Sequence, residues 1–182
     1  MARAAVFIDA AYLNFTLRDE FGTPKIDHQK LAVRLTPPGL DLLRTYYYCC
    51  PPYQSNPATQ DERDRKGRFD KFEAGLRALP RFEVRLGVLA YRGLDPAGKP
   101  QFEQKRVDIL LGVDLVRLAA KSQITEAVLV AGDSDFLPAI AAAKDDGVLI
   151  RLFHGRTPHQ ALIQIADERT RIDQQFIDAI KR

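Results

Sequence analysis

The sequence predicts an α/β fold with a mainly parallel sheet and helices on both of its faces. Strand-like and helix-like segments alternate along the chain, which is typical of parallel strands joined by helical crossovers. Residues 4–9 and 127–131 are short apolar runs, as expected of strands buried on both faces. Both runs lead directly to aspartates, at the end of the strand where open α/β sheets bind their ligands.

The first half of the chain contains two strands and two helices. Strand one is predicted over 4–9, and a helix or helical turn follows over 10–18. Asp27 resembles the N-cap of a helix that continues to about residue 35 and ends before Pro37. Residues 42–50 are rich in β-formers and are predicted as strand two.

The second half continues the alternation. Residues 61–79 have helical spacing and a charged face, and the alternating run at 82–90 predicts strand three, followed by a turn over 93–98. The remaining segments are a helix over 107–121, strand four over 127–131, a helix over 136–144 and strand five over 148–153. The tail, residues 158–182, is predicted as a helical extension with Leu162, Ile165, Ile172, Phe176 and Ile180 on its buried side.

Length and composition predict one domain over residues 1–182 and exclude several function classes. The chain has a net charge of +3, which is compatible with a polyanionic partner but does not demonstrate one. No segment approaches the ~20 apolar residues of a membrane span, and the first residues enter a strand pattern directly, so we expect a cytoplasmic protein. Cys49 and Cys50 are adjacent with no second pair, which disfavours a disulfide framework and a zinc site.

The segment 129–136, Leu-Val-Ala-Gly-Asp-Ser-Asp-Phe, is the centre of the functional hypothesis. Asp133 and Asp135 flank Ser134 at the point where strand four ends. Two carboxylates so close together repel each other unless a cation or a proton relieves them. A helix N-cap is the simpler explanation, but a cap requires only one such residue. The pattern therefore favours metal binding or catalysis.

Three further aspartates can approach this segment. Asp9 ends strand one, and it borders the same crevice if the order of the sheet reverses between strands one and four. Asp108 begins the helix that leads to strand four, and that helix must start at the same edge of the sheet. Asp114 lies roughly 9 Å further along this helix, where it binds a structural partner or reaches the site from below.

Carboxylates without histidine or thiolate neighbours suit hard divalent ions, so Mg²⁺ or Mn²⁺ is the expected cofactor. Such an ion polarises a phosphodiester and activates water, and the protein then needs no nucleophile of its own. Lys105 and Arg106, beside Asp108, are predicted to steady a phosphate. Ser134 donates a hydrogen bond to substrate or caps the following helix, and the cap is the simpler prediction.

The residues also resemble a known family, the NYN domain, in the LabA-like branch of the PIN-like nuclease superfamily. The resemblance rests on residues 7–13, on Lys105–Asp108 with 113–115, and on 131–136. It implies a three-layer PIN-like, Rossmann-like fold with five strands in the order 3-2-1-4-5. It also implies a metal-dependent ribonuclease site at the positions of Asp9, Asp108, Asp133 and Asp135, with Asp114 as a further member.

The sequence departs from the family pattern after its first aspartate. Many members have glycine directly after this aspartate and asparagine three residues past it, whereas this chain has Ala10 and Tyr12. Asn14 is nearby but out of register. The departure bears on metal positioning and substrate shape, and we include Tyr12 and Asn14 among the candidate substrate-binding residues.

The sequence leaves three functions open. The leading one is an Mg²⁺- or Mn²⁺-dependent endoribonuclease, and the second is an RNA-binding or regulatory module with a weak or inactive nuclease site. The third is a phosphoryl-transfer enzyme with Asp9 as nucleophile, although position 11, where related phosphatases carry a second aspartate, is alanine. The run Tyr46–Tyr48 and the tail are assigned either to a homodimer interface or to the core.

Overall fold

The computed structural model describes residues 2–182 as a parallel sheet with helices on both faces and a separate two-stranded hairpin. The strands are β1 (Arg3–Asp9), β2 (Asp41–Cys49), β3 (Phe82–Leu86), β4 (Val88–Leu94), β5 (Pro100–Lys105), β6 (Glu126–Val130), β7 (Leu149–His154) and β8 (Glu168–Arg171). The helices are α1 (Ala10–Phe21), α2 (His28–Leu35), α3 (Gln60–Arg77), α4 (Val107–Ala120), α5 (Leu137–Asp145), α6 (Gln160–Ile165) and α7 (Gln174–Ile180), and a 3-10 turn (Ser134–Phe136) precedes α5.

The sheet has the strand order β3-β2-β1-β6-β7-β8, and every neighbouring pair is parallel. The chain moves outward from β1 to β3, and it then returns to place β6 on the other side of β1. The order therefore reverses between β1 and β6, which creates a crevice at the carboxyl ends of these two strands.

Two hydrophobic layers enclose the sheet. On one face, Phe7 of β1 and Leu129 of β6 pack with Leu111 and Leu115 of α4, together with residues of α5 and α6. On the other face, Ile8 and neighbouring side chains pack with residues of α1, α2, α3 and α7. Successive residues of a strand point to opposite faces, so the uninterrupted apolar run of β1 fills both layers. The predicted parallel sheet between helical layers is confirmed.

The predicted five-strand order is wrong, because the parallel sheet has six strands. The tail is not wholly helical: β8 lies between α6 and α7 and pairs with β7 at the edge of the sheet. All four side chains of β8, Glu-Arg-Thr-Arg, are exposed, so its sequence lacks the apolar pattern by which a strand is predicted. Within the segment 158–182, β8 thus joins the sheet, whereas α6 and α7 are helical as predicted.

The region 82–105 also differs from the prediction. The expected single strand over 82–90 divides at Gly87 into β3, which belongs to the sheet, and β4, which pairs antiparallel with β5. A Cβ atom at position 87 would lie 2.6 Å from the carbonyl oxygen of Lys105 and 2.7 Å from Val107 Cγ2. Glycine at this position therefore lets the hairpin leave the sheet close to the start of α4.

The run Tyr46–Tyr48 lies in the core, with 4%, 2% and 0% of each residue exposed. Phe176 and Ile180 of the tail are also buried. These side chains serve the fold, and they leave the proposed homodimer without its suggested contact surface. No helix within residues 2–182 combines the length and the apolar character needed to cross a membrane.

Candidate functional site

Asp9 and Asp133 meet at the crevice between β1 and β6. Ile8 of β1 is paired with Val130 of β6, so Asp9 is the next residue beyond this pair on one strand and Asp133 follows three residues later on the other. Apolar pairing along both strands sets their register, and the register places the two aspartates at one edge. The order reversal expected from the sequence is present.

Asp108 and Asp135 belong to the same electrostatic neighbourhood. The pKa of Asp9 is raised to about 6, mainly by burial and further by the negative charges of Asp108 and Asp133. The hydrogen bonds from the backbone N–H groups of Tyr12 and Ala11 lower this pKa but do not offset the rise. Burial also raises the pKa of Asp108, with added repulsion from Asp133 and Asp135. Because Asp133 acts on both Asp9 and Asp108, and Asp135 acts on Asp108, we place the four carboxylates at one site.

The two strand-end aspartates also act as caps, and each uses one oxygen to do so. Asp9 Oδ1 accepts the backbone N–H groups of Ala11 and Tyr12 at 3.0 and 3.3 Å. Asp133 Oδ1 accepts the backbone N–H of Asp135 at 3.1 Å. The cap and the site are therefore compatible, since Oδ2 of each aspartate has no hydrogen-bond partner within residues 2–182.

No cation balances the four carboxylates. In the part of the chain that the structure describes, none of Asp9, Asp108, Asp133 and Asp135 forms an ion pair, although sixteen such pairs occur elsewhere. Asp9 is only 8% exposed, so its negative charge is held largely away from water. An acidic cluster of this kind favours a positively charged ligand.

The donor set suits a hard divalent ion. Carboxylate oxygens without thiolate or imidazole partners are the ligands that Mg²⁺ and Mn²⁺ prefer. The side-chain positions are not those of a closed coordination sphere, since no group of three or more His, Cys, Asp or Glu side chains in residues 2–182 is arranged to hold a metal. Coordination by three of the four aspartates would thus require side-chain rotation toward a common point.

Asp114 has a different environment from the one that a ligand needs. Its Oδ2 accepts hydrogen bonds from the Tyr48 hydroxyl at 3.1 Å and from Arg85 Nε at 3.0 Å, and its Oδ1 accepts one from Arg117 Nη2 at 3.3 Å. The residue is 6% exposed and is packed between α4 and the sheet. Both oxygens are occupied by partners, which corresponds to the structural alternative of the sequence analysis.

Lys105 and Arg106 lie between the hairpin and α4, directly before the acidic helix start. Both are exposed, and neither forms an ion pair with any residue from 2 to 182. Arg106 has φ of 74°, a left-handed conformation that is unfavourable for a residue with a Cβ atom. This turn joins β5 to α4, and it leaves both cationic side chains available to an anion.

Tyr12 connects three strand ends. Its ring lies so close to Gly132 that a Cβ atom there would be 2.0 Å from Tyr12 Cε2. Its hydroxyl accepts the backbone N–H of Gly155 at 2.9 Å, and Gly155 follows β7. Tyr12 of α1 therefore contacts the loop after β6 and the loop after β7. This packing role was not identified from the sequence.

Asn14 and Ser134 are the other two polar residues that the sequence proposes for substrate binding. Asn14 is exposed on α1, and its side chain has no hydrogen bond to another residue of the segment 2–182. Ser134 begins the 3-10 turn, but the cap of that turn is Asp133, so the prediction that Ser134 caps the following helix is wrong. The preceding aspartate takes this role because its carboxylate reaches the backbone N–H two residues on.

Cys50 is a site neighbour that the sequence analysis assigned only to the end of a strand. Burial raises the pKa of its thiol, and the charges of Asp108 and Asp9 raise it further, while a hydrogen bond with the backbone of Lys105 lowers it. A raised pKa keeps this thiol protonated. The signal was present in the sequence, because Cys50 follows β2 at the same sheet edge at which Asp9 ends β1.

Comparison with known proteins gives one match. The family model described as NYN domain matches residues 3–173, which is nearly the whole chain. The match includes both strand-end aspartates, the start of α4 and β8. No curated protein and no solved structure matches the chain.

Proposed function

The chain belongs to the NYN domain family, and from this premise we propose that it is a ribonuclease that requires a divalent metal ion. Membership of the family supports a PIN-like nuclease. The proposal is carried by one observation of the site. At the sheet's order reversal the charges of Asp108, Asp133 and Asp135 act on the pKa of Asp9 or of Asp108, and none of the four aspartates forms an ion pair within residues 2–182. The family match favours a nuclease over a phosphoryl-transfer enzyme with Asp9 as nucleophile.

The four aspartates are the residues that would hold the metal. When bound, Mg²⁺ or Mn²⁺ would polarise the phosphodiester and lower the pKa of a water molecule. Asp9 supplies its free Oδ2, and the backbone N–H groups on Oδ1 fix the orientation of this carboxylate. Asp114 is left out of the metal set, since its hydrogen bonds to Tyr48, Arg85 and Arg117 occupy both oxygens.

The cationic and polar residues nearby would position the RNA. Lys105 and Arg106 are free to bind the phosphate that approaches the aspartates, because no carboxylate of the described chain neutralises them. Ser134, between the two loop aspartates, has a hydroxyl without an internal partner and can donate to a phosphate oxygen. Tyr12 supports the site by packing, and Asn14 remains a predicted substrate contact.

Three finer statements are part of the proposal. We propose endonucleolytic cleavage, since the crevice is an open sheet edge. We assign the chain to the LabA-like branch on the motifs at 7–13, 105–108 and 131–136. Cytoplasmic localisation also remains a prediction.

Cleavage of a circular single-stranded RNA tests the proposal directly, since a circle has no end at which an exonuclease can begin. We expect cleavage with Mg²⁺ or Mn²⁺ and none with a chelator. We expect Asp133→Asn to lower the rate at least about 100-fold without loss of the fold, because it removes one charge from the acidic site and keeps the Oδ1 acceptor of the cap.

The matched control is Asp145→Asn, which changes an exposed aspartate at the far end of α5. This variant should cleave at the wild-type rate. Equal cleavage by Asp133→Asn and wild type would refute the proposed site, and cleavage of linear but not circular RNA would refute the endonucleolytic mode.

An RNA-binding module with little cleavage is the second candidate. Two features favour it: Tyr12 occupies a position where the resemblance expects asparagine, and the four carboxylates do not form a ready coordination group. Tight binding of RNA with no cleavage by the wild-type protein in any divalent metal would establish this alternative.

A further inference from the structure

The hairpin β4–β5 stands apart from the main sheet. Its strands pair only with each other, and every side chain of β5 is exposed. An isolated two-stranded hairpin is at best marginally stable in water unless other contacts support it. The hairpin nevertheless connects β3 directly to the acidic start of α4, so its position relative to the site is set at both ends.

Three aromatic rings form a cluster on one face of this hairpin. Tyr91 and Phe102 are a direct cross-strand pair with ring centroids 5.8 Å apart. Tyr53, from the loop after β2, lies 5.8 Å from Tyr91 and 5.3 Å from Phe102. Tyr91 and Phe102 remain 45% and 41% exposed, so both rings are partly accessible to a ligand from solvent.

The cluster is linked to the acidic site along two routes. Phe102 precedes Asp108 by six residues, so their Cα atoms are at most about 20 Å apart. Tyr53 is three residues from Cys50. The Sγ atom of Cys50 and the carbonyl oxygen of Lys105 both border Gly87, at 2.9 and 2.6 Å from the position that a Cβ atom would take there. A chain of a few nucleotides can therefore extend from the rings to the carboxylates.

The charges of the hairpin favour a polyanion over an apolar protein partner. Residues 88–106 contain four basic side chains and two acidic ones, a net charge of +2 from Arg92, Lys99, Lys105, Arg106, Asp95 and Glu103. Both acids are engaged, Glu103 by Arg92 and Asp95 by the backbone of the turn. Lys105 and Arg106 follow Phe102 and precede Asp108 in the chain, and neither forms an ion pair within residues 2–182.

We propose that Tyr53, Tyr91 and Phe102 stack the unpaired bases of single-stranded RNA and that Lys105 and Arg106 guide its backbone toward the aspartates. This inference rests on the proposed function and specifies its substrate class. Aromatic rings bind bases through their faces, and these faces are exposed in a single strand but covered in a duplex. The protein should therefore prefer unpaired RNA.

The test measures binding of a fluorescein-labelled 12-nucleotide single strand and of the corresponding RNA duplex, in a chelator so that no cleavage occurs. Replacing Tyr91 and Phe102 together by leucine removes the π faces and keeps apolar side chains at both positions. We expect single-strand affinity to fall about tenfold or more, from the usual contribution of each base–ring contact, with little change for the duplex.

The matched control is Phe15→Leu, which removes another exposed aromatic ring, 44% exposed on α1. Its affinity should remain within about twofold of wild type. Equal single-strand binding by the double variant, or an equal loss for single strand and duplex, would overturn the stacking proposal. A change from dimer to monomer in light scattering would identify the rings as a contact between two copies and would overturn it as well.

A second variant keeps the test informative if the double variant does not fold. The chain has no tryptophan, so Phe102→Trp introduces a single indole reporter. We expect single-stranded RNA to quench the indole emission of this variant, and duplex RNA not to quench it. Binding without quenching would refute stacking and leave the ribonuclease proposal intact, whereas no RNA binding by the wild-type protein would refute both.

Discussion

Asp9 combines a structural and a functional duty in one carboxylate. It ends β1, caps α1 through Oδ1 and is 8% exposed. Burial raises its pKa to about 6 from 3.8, so between these pH values the folded protein keeps a proton that the unfolded chain has lost. The free energy of unfolding of the metal-free protein therefore falls as pH rises through this window, by about 3 kcal/mol in total.

Asp9→Asn should remove this dependence. The amide keeps the Oδ1 acceptor for Ala11 and Tyr12 but cannot ionise. We expect the metal-free variant to be more stable than wild type at pH 7 by about 1–3 kcal/mol, with the difference shrinking as pH approaches 4. Urea denaturation of both proteins from pH 4 to 7.5 measures it, and a difference that is constant over this range would contradict the buried, ionised Asp9.

At the scale of a single element, α4 carries two aspartates with separate duties. Asp108, in its first turn, belongs to the acidic site, whereas Asp114 ties the middle of the helix to β2 and β3 through Tyr48 and Arg85. Six residues of helix separate them by roughly 9 Å. The helix thus presents one carboxylate at the sheet edge and uses the other to hold itself against the sheet.

Replacing each aspartate by asparagine in turn should lower stability in one variant and RNA cleavage in the other. Asp114→Asn weakens the ion pairs with Arg85 and Arg117, and we expect the free energy of unfolding to fall by about 1–3 kcal/mol with cleavage within a few-fold of wild type. This loss is smaller than the about 3–5 kcal/mol of a fully buried broken pair, because the Arg85 side chain is 30% exposed. Asp108→Asn should leave stability unchanged or raised and lower cleavage at least about 100-fold.

Chemical denaturation and RNA cleavage of the two variants, measured side by side, provide the comparison. Loss of cleavage in Asp114→Asn at unchanged stability would show that this residue binds the metal after all. Full cleavage by Asp108→Asn would remove it from the site.

At the scale of the whole molecule, the last part of the chain completes the fold. β8 covers the edge of β7, and α7 packs against the same sheet face as α1 and α2. Ile177 of α7 is 0% exposed within this layer. Residues 158–182 therefore contribute to stability. The segment also contacts the loop that carries Asp133, since the backbone N–H of His159 donates to the carbonyl oxygen of Gly132 at 3.0 Å.

Ile177→Ala should lower the free energy of unfolding by about 2–4 kcal/mol, because the surrounding core cannot refill the lost volume. Val33→Ala is the control: Val33 lies on the neighbouring α2 but is 68% exposed, so its truncation should change stability by less than about 0.5 kcal/mol. Denaturant melts of both variants test this expectation. Equal stability of Ile177→Ala and wild type would show that α7 is an independent extension.

Sequence reasoning worked where local chemistry and burial agree. The apolar runs of β1 and β6 had to be buried strands, and Asp27 is the N-cap of α2 because its side chain accepts the backbone N–H groups of Gln29 and Lys30. It failed for β8 and β5, whose exposed polar side chains carry no periodic signal. These strands form because their backbones pair with a neighbouring strand, β8 with β7 and β5 with β4.

The sequence by itself determined the central parallel strands and the acids that follow them. It gave the reversal of strand order between Asp9 and Asp133 only as a condition, which the order of the sheet meets. Only the tertiary structure brought Tyr48 to Asp114, placed Tyr12 against Gly132 and assembled Tyr53 with Tyr91 and Phe102. The physical reason is the sequence separation over which each kind of interaction acts. Hydrophobic alternation and capping act between residues close in the chain, whereas partners of a buried charge or an exposed ring come from elements that meet only after folding.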